Sequence, residues 1–225
     1  MSVLPLEKIT IEPQKPATSC VIWLHGLGDS GEGFAPVVPM LGLPQNHGIR
    51  FVFPHAPEQP VTINQGYVMR SWYDIKSMDL HSRADMPGVL ESEQLVHQLI
   101  QEQIAAGIAE ENIVLAGFSQ GGVISLFSGL RYPKKLAGIL ALSCYLPSAD
   151  QLPDNLSAEN ATTAILQHHG EQDDVVPVNA GKIAHQLLKK AGYSVAWKSY
   201  NMPHSVLPEQ LTDIGNWLKI RLLND

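Results

Sequence analysis

A serine enclosed by glycines, in GFSQGG at residues 117–122, is the first place where the sequence suggests chemistry. It fits the GxSxG pattern, which puts a serine on a sharp turn between a strand and a helix with its hydroxyl exposed. The surroundings agree, because the apolar run NIVLAG precedes Ser119 and GGVISLFSGL follows it. The alternative is a glycine-rich helix start in which Ser119 is an ordinary N-cap residue. The context favours a nucleophile.

A serine hydroxyl is a weak nucleophile at neutral pH, so it needs a histidine to accept its proton and a carboxylate to orient that histidine. With GxSxG these residues follow in the order Ser, Asp or Glu, His. The run AILQHHG leads into a loop with Asp173 and Asp174, and VAWKSY leads into NMPHS with His204. Spacing leaves either aspartate open as the acid, since aspartate also caps turns. For His204 the alternative is a solvated loop histidine.

Two backbone N–H donors are expected near Ser119, because acyl transfer passes through a tetrahedral oxyanion. One is the N–H of Gln120, the residue after the nucleophile. The other is the N–H of Leu27, in the glycine loop that follows the apolar run SCVIWL. A phosphate-binding loop is the alternative for these glycines, but the stretch lacks the GK[ST] ending.

Short apolar runs alternate with segments of helical period, which predicts an α/β fold with a mostly parallel central sheet flanked by helices. We expect a single domain over residues 1–225 and an antiparallel edge strand within residues 3–11. Helices are predicted at about 88–106, directly after Ser119, at 180–190, and from near Pro208 through Leu222. The predicted strands of the sheet are SCVIWLH, IRFVFPHAP, NIVLAG, LAGILALSC, AILQHHG and VAWKSY.

Residues 61–88 form a connection that is too long for an ordinary loop. They carry many apolar side chains, among them Met69, Trp72, Tyr73 and Ile75. We expect this segment to form the wall of an apolar substrate groove. The alternative is an excursion that packs on itself and covers the sheet.

Composition narrows the class of protein. The 225 residues include 22 acidic and 15 basic ones, a net charge of −7, which disfavours nucleic acid as a partner. The sequence has neither a secretory signal nor an apolar run of about 18 residues, so we expect a cytoplasmic protein without stable membrane insertion.

Cys20 and Cys144 are expected to be buried thiols on neighbouring strands. No metal site is expected, because the histidines lack ligand spacing, and His168 and His169 should point to opposite faces of a strand.

Together these motifs resemble the bacterial carboxylesterase and acyl-protein thioesterase family, the phospholipase/carboxylesterase group of α/β-hydrolases. The resemblance extends over nearly the whole chain. It is carried by LHGLGDSG at 24–31, SWYDI at 71–75, GFSQGG at 117–122, HGEQDDVVP at 169–177 and MPHS at 202–205.

The resemblance implies an α/β-hydrolase fold with Ser119 as nucleophile, His204 as base, and Leu27 and Gln120 as oxyanion donors. In the family's HGxxDxxVP motif the acid is the third residue after the glycine, which is Asp173 here. The resemblance thereby selects between the two aspartates that spacing left open.

The same resemblance implies hydrolysis of carboxylic esters, acyl thioesters or lysophospholipids without a metal or cofactor, and it places Trp72 beside the acyl group. The expected substrates are small-molecule or lipid acyl esters, with acylated proteins as an alternative. Homodimers occur in that family, so a homodimer is an added expectation. A hydrolase-fold module that binds ligands without catalysis is the alternative from a different class.

Overall fold

A seven-stranded sheet forms the centre of the protein in a computed structural model that describes residues 6–223. Its strands are β1 (Lys8–Ile11), β2 (Ser19–Leu24), β3 (Ile49–Pro54), β6 (Ile113–Phe118), β7 (Gly138–Leu142), β8 (Ile165–Gly170) and β9 (Val195–Tyr200). The strand order is β1-β3-β2-β6-β7-β8-β9, and every pair is parallel except β1 with β3. The predicted mostly parallel α/β sheet is confirmed.

The central strands are apolar throughout because helices cover both faces of the sheet. All six residues of β2 are buried. Along it, Ile22 and Leu24 pack into the core on one face, and Val21 and Trp23 pack into the core on the other. The absence of a polar face in these runs therefore reflects their position inside the molecule.

Helices α2, α3 and α4 contribute to the core on one face, while α1 and α5 contribute to the core on the other. Helix α2 begins two residues before the predicted Gly88, because the Asp85 side chain caps it by accepting the N–H of Gly88 at 3.1 Å. Within residues 6–223, no helix has the length and apolar character needed to cross a membrane. The helices are α1 (Gly31–Phe34), α2 (Met86–Ala105), α3 (Gln120–Arg131), α4 (Val178–Lys190) and α5 (Pro208–Leu222).

The edge strand and the two cysteines were also predicted from the sequence. The predicted antiparallel edge strand is β1, and the first part of its predicted span, residues 3–5, lies outside the described residues. Cys20 and Cys144 are buried free thiols as expected. They do not lie on neighbouring strands, because Cys20 is on β2, Cys144 lies just after β7, and β6 separates β2 from β7. The single domain stays a prediction from the sequence.

The segment 61–88 is more ordered than a loop. Strands β4 (Glu58–Val61) and β5 (Tyr67–Arg70) form an antiparallel hairpin beside the main sheet. Farther along, an isolated bridge pairs Ile75 with Ala84. The segment thus consists of two successive excursions that start and end near the carboxyl edge of the sheet, where β3 ends and α2 begins.

Candidate active site

Ser119 is the single residue between β6 and α3, and its backbone is strained. Its φ of 55° and ψ of −120° lie in a region that residues with a side chain rarely adopt. The N–H of Ser119 donates to the carbonyl of Leu142 at 2.8 Å, which ties the turn to β7. The predicted strand–turn–helix context of Ser119 is therefore present.

Glycines on both sides of Ser119 let α3 pass very close to the sheet. A Cβ atom on Gly117 would lie 2.2 Å from the carbonyl oxygen of Gly121, and one on Gly121 would lie 2.3 Å from that of Leu24. No side chain fits at such distances. The glycines of GFSQGG are thus required by the packing that presents the serine.

His204 and Asp173 lie together, each in the loop after its own strand. His204 Nδ1 is 2.6 Å from Asp173 Oδ2. Asp173 Oδ1 accepts the backbone N–H groups of Val175 at 3.0 Å and Val176 at 2.7 Å. Asp174, by contrast, is exposed, and within residues 6–223 it forms no ion pair with a histidine or an arginine.

A second histidine also contacts Asp173. His169 Nε2 lies 2.8 Å from the carbonyl of Val176, to which it must donate, and 3.5 Å from Asp173 Oδ2. Burial would raise the pKa of Asp173, but the contact with His169 and the hydrogen bonds from His204 and Val176 outweigh it and hold the pKa well below its ordinary value of 3.8. Asp173 is therefore a fixed negative charge. Sequence reasoning considered His169 only as a metal ligand, although the HG of the HGxxD motif was a signal for this position.

Ser119 and His204 are brought to the same edge of the sheet without a direct hydrogen bond. Phe118, which precedes the serine, packs its ring 4.7 Å from the His204 ring. The Ser119 hydroxyl has no hydrogen-bond partner within residues 6–223. Such contacts are often loose before substrate binds, so the placement is compatible with a nucleophile and its base.

Leu27 and Gln120 both present unused N–H groups beside Ser119. In the described part of the chain, neither backbone N–H donates to another protein group. The N–H of Gln120 belongs to the first turn of α3, where the helix dipole adds positive potential. Leu27, Ser119 and Gln120 line one cavity.

The loop that carries Leu27 is braced from several sides. His25 donates from Nδ1 to the carbonyl of Gly26 at 2.7 Å and accepts the N–H of Ala56 at Nε2. Trp72 Nε1 donates to the carbonyl of His25 at 2.9 Å, and the N–H of Gly28 donates to the carbonyl of Arg70. The N–H of Leu27 is consequently held in place by its neighbours.

The glycines of this loop, Gly26, Gly28 and Gly31, also have the GxGxxG spacing of dinucleotide-binding turns. In those folds the third glycine opens a long helix whose N-terminus holds a pyrophosphate. Here the helix α1 has only four residues and is followed by a 3₁₀ helix, Ala35–Leu41, instead of a long α-helix. The loop is therefore not built as a dinucleotide site.

The Gln120 side chain has a role that the sequence did not predict. It is buried, with its Oε1 accepting the N–H of Trp72 at 2.8 Å and its Nε2 donating to the carbonyl of Tyr73 at 2.6 Å. Its Nε2 also donates to Ser71 Oγ at 3.0 Å. The side chain thereby fastens residues 71–73 to the first turn of α3.

A cavity of about 260 Å³ adjoins Ser119, and the segment 61–88 supplies much of its wall. Of the four residues expected in that wall, Tyr73 and Ile75 line the cavity. Trp72 is not on the wall, because its indole is buried and bonded to His25. Met69 is not on it either and lies beside Gly28, where a Cβ atom in place of the glycine hydrogen would be 3.5 Å from the Met69 sulfur. The remaining lining residues include Ile63, Asn64, Met78, Arg83, Tyr145, Asp174, Val175 and Val176.

The histidines and acidic residues do not form a metal centre in the described chain. Over residues 6–223, no group of three or more His, Cys, Asp or Glu side chains is arranged to hold a metal ion. His168 and His169 contact different partners, since the His168 ring packs against Tyr200 and the His169 ring against Trp197.

Several known proteins are similar to this chain along nearly its whole length. The acyl-protein thioesterase 1 of Gibberella zeae is 41% identical over 214 residues, covering 91% of this chain and 91% of the relative. Carboxylesterase SOBER1 of Arabidopsis thaliana is 38% identical, with 92% of each chain covered. The SOBER1 crystal structure matches with a TM-score of 0.85 over 91% of this chain and 99% of that one. The crystal structure of Zea mays acyl-protein thioesterase 2 has the same TM-score at 29% identity, covering 96% and 99%.

These relatives are fungal and plant proteins, so the description of the family as bacterial is not supported. The expected α/β-hydrolase fold is confirmed. A model of the phospholipase/carboxylesterase family matches residues 6–222, nearly the entire chain. The chain belongs to the phospholipase/carboxylesterase family.

Proposed function

We propose that the protein is a serine hydrolase that cleaves carboxylic esters with apolar acyl groups. The observation that carries the proposal is that Ser119 and the free N–H groups of Leu27 and Gln120 line one largely apolar cavity. An ester carbonyl bound there meets a nucleophile and two oxyanion donors at once. Membership of the phospholipase/carboxylesterase family supports the same activity.

In the first half of the reaction, Ser119 attacks the ester carbonyl. Asp173 accepts the Nδ1–H of His204, which leaves Nε2 unprotonated and able to take the proton of the serine hydroxyl. The negative charge that develops on the carbonyl oxygen is bound by the N–H groups of Leu27 and Gln120. The N-terminus of α3 adds positive potential there.

In the second half, the leaving group departs and water releases the acid. His204 passes its proton to the leaving oxygen, and the alcohol leaves behind an acyl ester on Ser119. A water molecule then gives a proton to His204 as it attacks the acyl carbonyl, and Ser119 regains its proton when the ester bond breaks. Asp173 stabilises the histidine cation in both halves.

Acyl thioesters are the second candidate substrate class, on small molecules, lipids or proteins. A second cavity of about 350 Å³ shares Met78, Arg83, Asp174 and Val175 with the first, which extends the space available to a long acyl chain. Relatives named acyl-protein thioesterase favour acylated proteins among such substrates. Hydrolysis of S-butyryl and S-octanoyl thioesters of N-acetylcysteamine tests this class. A cytoplasmic location and a homodimer stay predictions.

The test of the proposed function is hydrolysis of 4-nitrophenyl butyrate by the wild type and by Ser119→Ala. We expect kcat to fall by on the order of 10⁴-fold or more, because triad residues act as one unit. Ser194→Ala, at an exposed serine beside β9, is the matched control and should keep full activity. Equal rates in the wild type and Ser119→Ala, or no rate in either, would favour a binding module with a hydrolase fold.

A further inference from the structure

Arg83 is a buried cation on the wall of the cavity beside Ser119. Its residue surface is only 5% exposed. Nη1 and Nη2 both donate to the carbonyl of Val175 at 3.2 Å, and Nε has no hydrogen-bond partner. Throughout residues 6–223, no carboxylate lies within 4.0 Å of the guanidinium. The charge of Arg83 is thus not matched by a nearby acid.

The surroundings of Arg83 do not replace that missing partner. The guanidinium carbon lies 5.6 Å from the centre of the Tyr145 ring, whose hydroxyl is 3.0 Å from that of Tyr73. Asp79 and Asp174 line the adjoining cavity, but both are exposed to water and form no ion pair with Arg83. The contacts of the guanidinium are therefore one aromatic ring, that of Tyr145, and the neutral carbonyl of Val175.

A buried guanidinium is costly unless charges or hydrogen bonds compensate it. It carries five N–H donors, and the carbonyl of Val175 accepts only two of them. If Arg83 served only to hold the loop after Asp173, a neutral amide could donate the same bond. Nε is enclosed by protein, but Arg83 lines the cavity, and its unmatched charge there instead indicates a ligand with an anionic group.

We infer that Arg83 forms a subsite for a carboxylate at the far end of the acyl group, so that the protein hydrolyses esters of acids with a second carboxylate. This inference rests on the proposed ester hydrolysis. The cavity that contains Arg83 also contains Ser119, Leu27 and Gln120 but not His204. Because His204 must protonate the leaving alcohol, the alcohol lies on the His204 side and the Arg83 side receives the acyl group. A planar carboxylate matches the fork of guanidinium donors.

The test uses mono-4-nitrophenyl esters of adipic, suberic and sebacic acid, each compared with its neutral methyl ester. The quantity measured is the selectivity ratio, which is kcat/KM for the free carboxylate divided by kcat/KM for the methyl ester, from release of 4-nitrophenol. Arg83→Gln keeps an amide donor for Val175 and removes the charge. Arg50→Gln makes the same charge change at the amino end of β3, where Arg50 pairs with Glu12.

We expect the selectivity ratio to fall by roughly 10- to 100-fold in Arg83→Gln, because a hydrogen-bonded charge is lost. In Arg50→Gln it should change by less than about threefold. A smaller fall than about tenfold in Arg83→Gln, or an equal fall in Arg50→Gln, would overturn the inference. In the wild type alone, the ratio should peak at one chain length because Arg83 is fixed, and a flat series would overturn the inference even if the variant does not fold.

Failure of the proposed function gives a different result. In that case the wild type would release no more 4-nitrophenol from the neutral methyl esters than Ser119→Ala does. If the wild type hydrolyses the neutral esters but its selectivity ratio does not depend on Arg83, the proposed ester hydrolysis stands and only the inferred carboxylate subsite is rejected.

Discussion

At the scale of single residues, the neighbours Asp173 and Asp174 show that the surroundings of a carboxylate determine whether it can orient a histidine. Asp173 is buried and accepts bonds from His204 and two backbone N–H groups. Asp174 is exposed on the cavity rim. A carboxylate acts as the orienting acid only if it is held against the histidine, so we expect Asp173 alone to take that role.

The first prediction compares the two aspartates. Asp173→Asn should lower kcat on 4-nitrophenyl butyrate by about 10⁴-fold, because His204 then adopts the wrong tautomer. Asp174→Asn should retain kcat within roughly threefold, since screened surface charges interact weakly. Far-ultraviolet circular dichroism of both variants controls for folding. Comparable losses in the two variants would contradict the assignment of the acid.

The second prediction concerns the Gln120 side chain. Gln120→Ala leaves the N–H of Trp72 without its partner and removes one of the two donors to the carbonyl of Tyr73, which keeps the bond from Ser71. We therefore expect the free energy of unfolding to fall by about 1 to 3 kcal/mol. The kcat should fall as well, because residues 71–73 lose their attachment to α3. Urea titration and 4-nitrophenyl butyrate kinetics measure the two effects.

Gln101→Ala is the control for that variant, as Gln101 is exposed and bonds only to the Tyr132 hydroxyl. From the sequence, only the backbone N–H of Gln120 has a predicted role, and that N–H survives in Gln120→Ala. Wild-type stability and activity in this variant would show that the side chain is dispensable.

At the scale of elements, the crossing of α3 over the sheet depends on Gly121. We predict that Gly121→Ala raises the free energy of the folded state by roughly 3 kcal/mol or more, because the new Cβ meets the backbone of Leu24. Gly107→Ala is the control, since Gly107 has a φ of 92° but nothing within 4 Å of its Cβ position. Its cost should be only about 1 to 2 kcal/mol of backbone strain.

Urea titration of both glycine variants measures this difference. If Gly121→Ala cost no more than Gly107→Ala, then close packing would not be the reason for the first glycine after Ser119. A folded but inactive Gly121→Ala protein would still agree with the prediction, provided that its urea midpoint is much lower than that of Gly107→Ala.

The elements of the sheet could be predicted from the sequence, whereas the β4–β5 hairpin could not. Central strands are marked by runs of buried apolar residues. The hairpin strands are mostly exposed or half-buried, and β4 contains Pro60, so neither has a clear pattern. The available signal was the turn, where Gln65 and Gly66 both have positive φ. An Asn-Gln-Gly sequence is compatible with such a turn but does not specify it.

At the scale of the whole molecule, buried histidines make stability depend on pH. Burial lowers the pKa of His168 from 6.5 to about 4. Between these two values the unfolded chain binds a proton on His168 that the folded chain does not bind. Stability is therefore lost as the pH falls from about 6.5 to about 4.

The corresponding prediction is that the free energy of unfolding is lower at pH 5 than at pH 7.5, with about 2 kcal/mol of the difference due to His168. His168→Gln cannot bind this proton, so its loss between the two pH values should be smaller by that amount. Urea titrations at both pH values measure it. An equal pH dependence in the wild type and in His168→Gln would rule out this origin.

The sequence identified the residues that lie just beyond strand ends, because the carboxyl edge of a parallel sheet collects them. Ser119, Asp173, His204 and Leu27 all follow this rule. It could not identify Arg83, since the role of that residue depends on which side chains surround it after folding. The sequence also could not predict that Trp72 lies outside the wall of the cavity, because this position depends on a hydrogen bond from its indole to the carbonyl of His25.

The attachment of residues 70–73 to the Leu27 loop and to the first turn of α3 has a consequence for protein engineering. The N–H of Gly28 donates a hydrogen bond to the carbonyl of Arg70, and the Gln120 side chain hydrogen-bonds to the backbone of Trp72 and Tyr73. Mutagenesis libraries aimed at a new acyl preference should leave this stretch unchanged, since its hydrogen bonds hold the Leu27 loop and the first turn of α3. Ile63 and Met78 line the same cavity without such bonds, so diversity introduced there should alter selectivity while sparing the reaction rate.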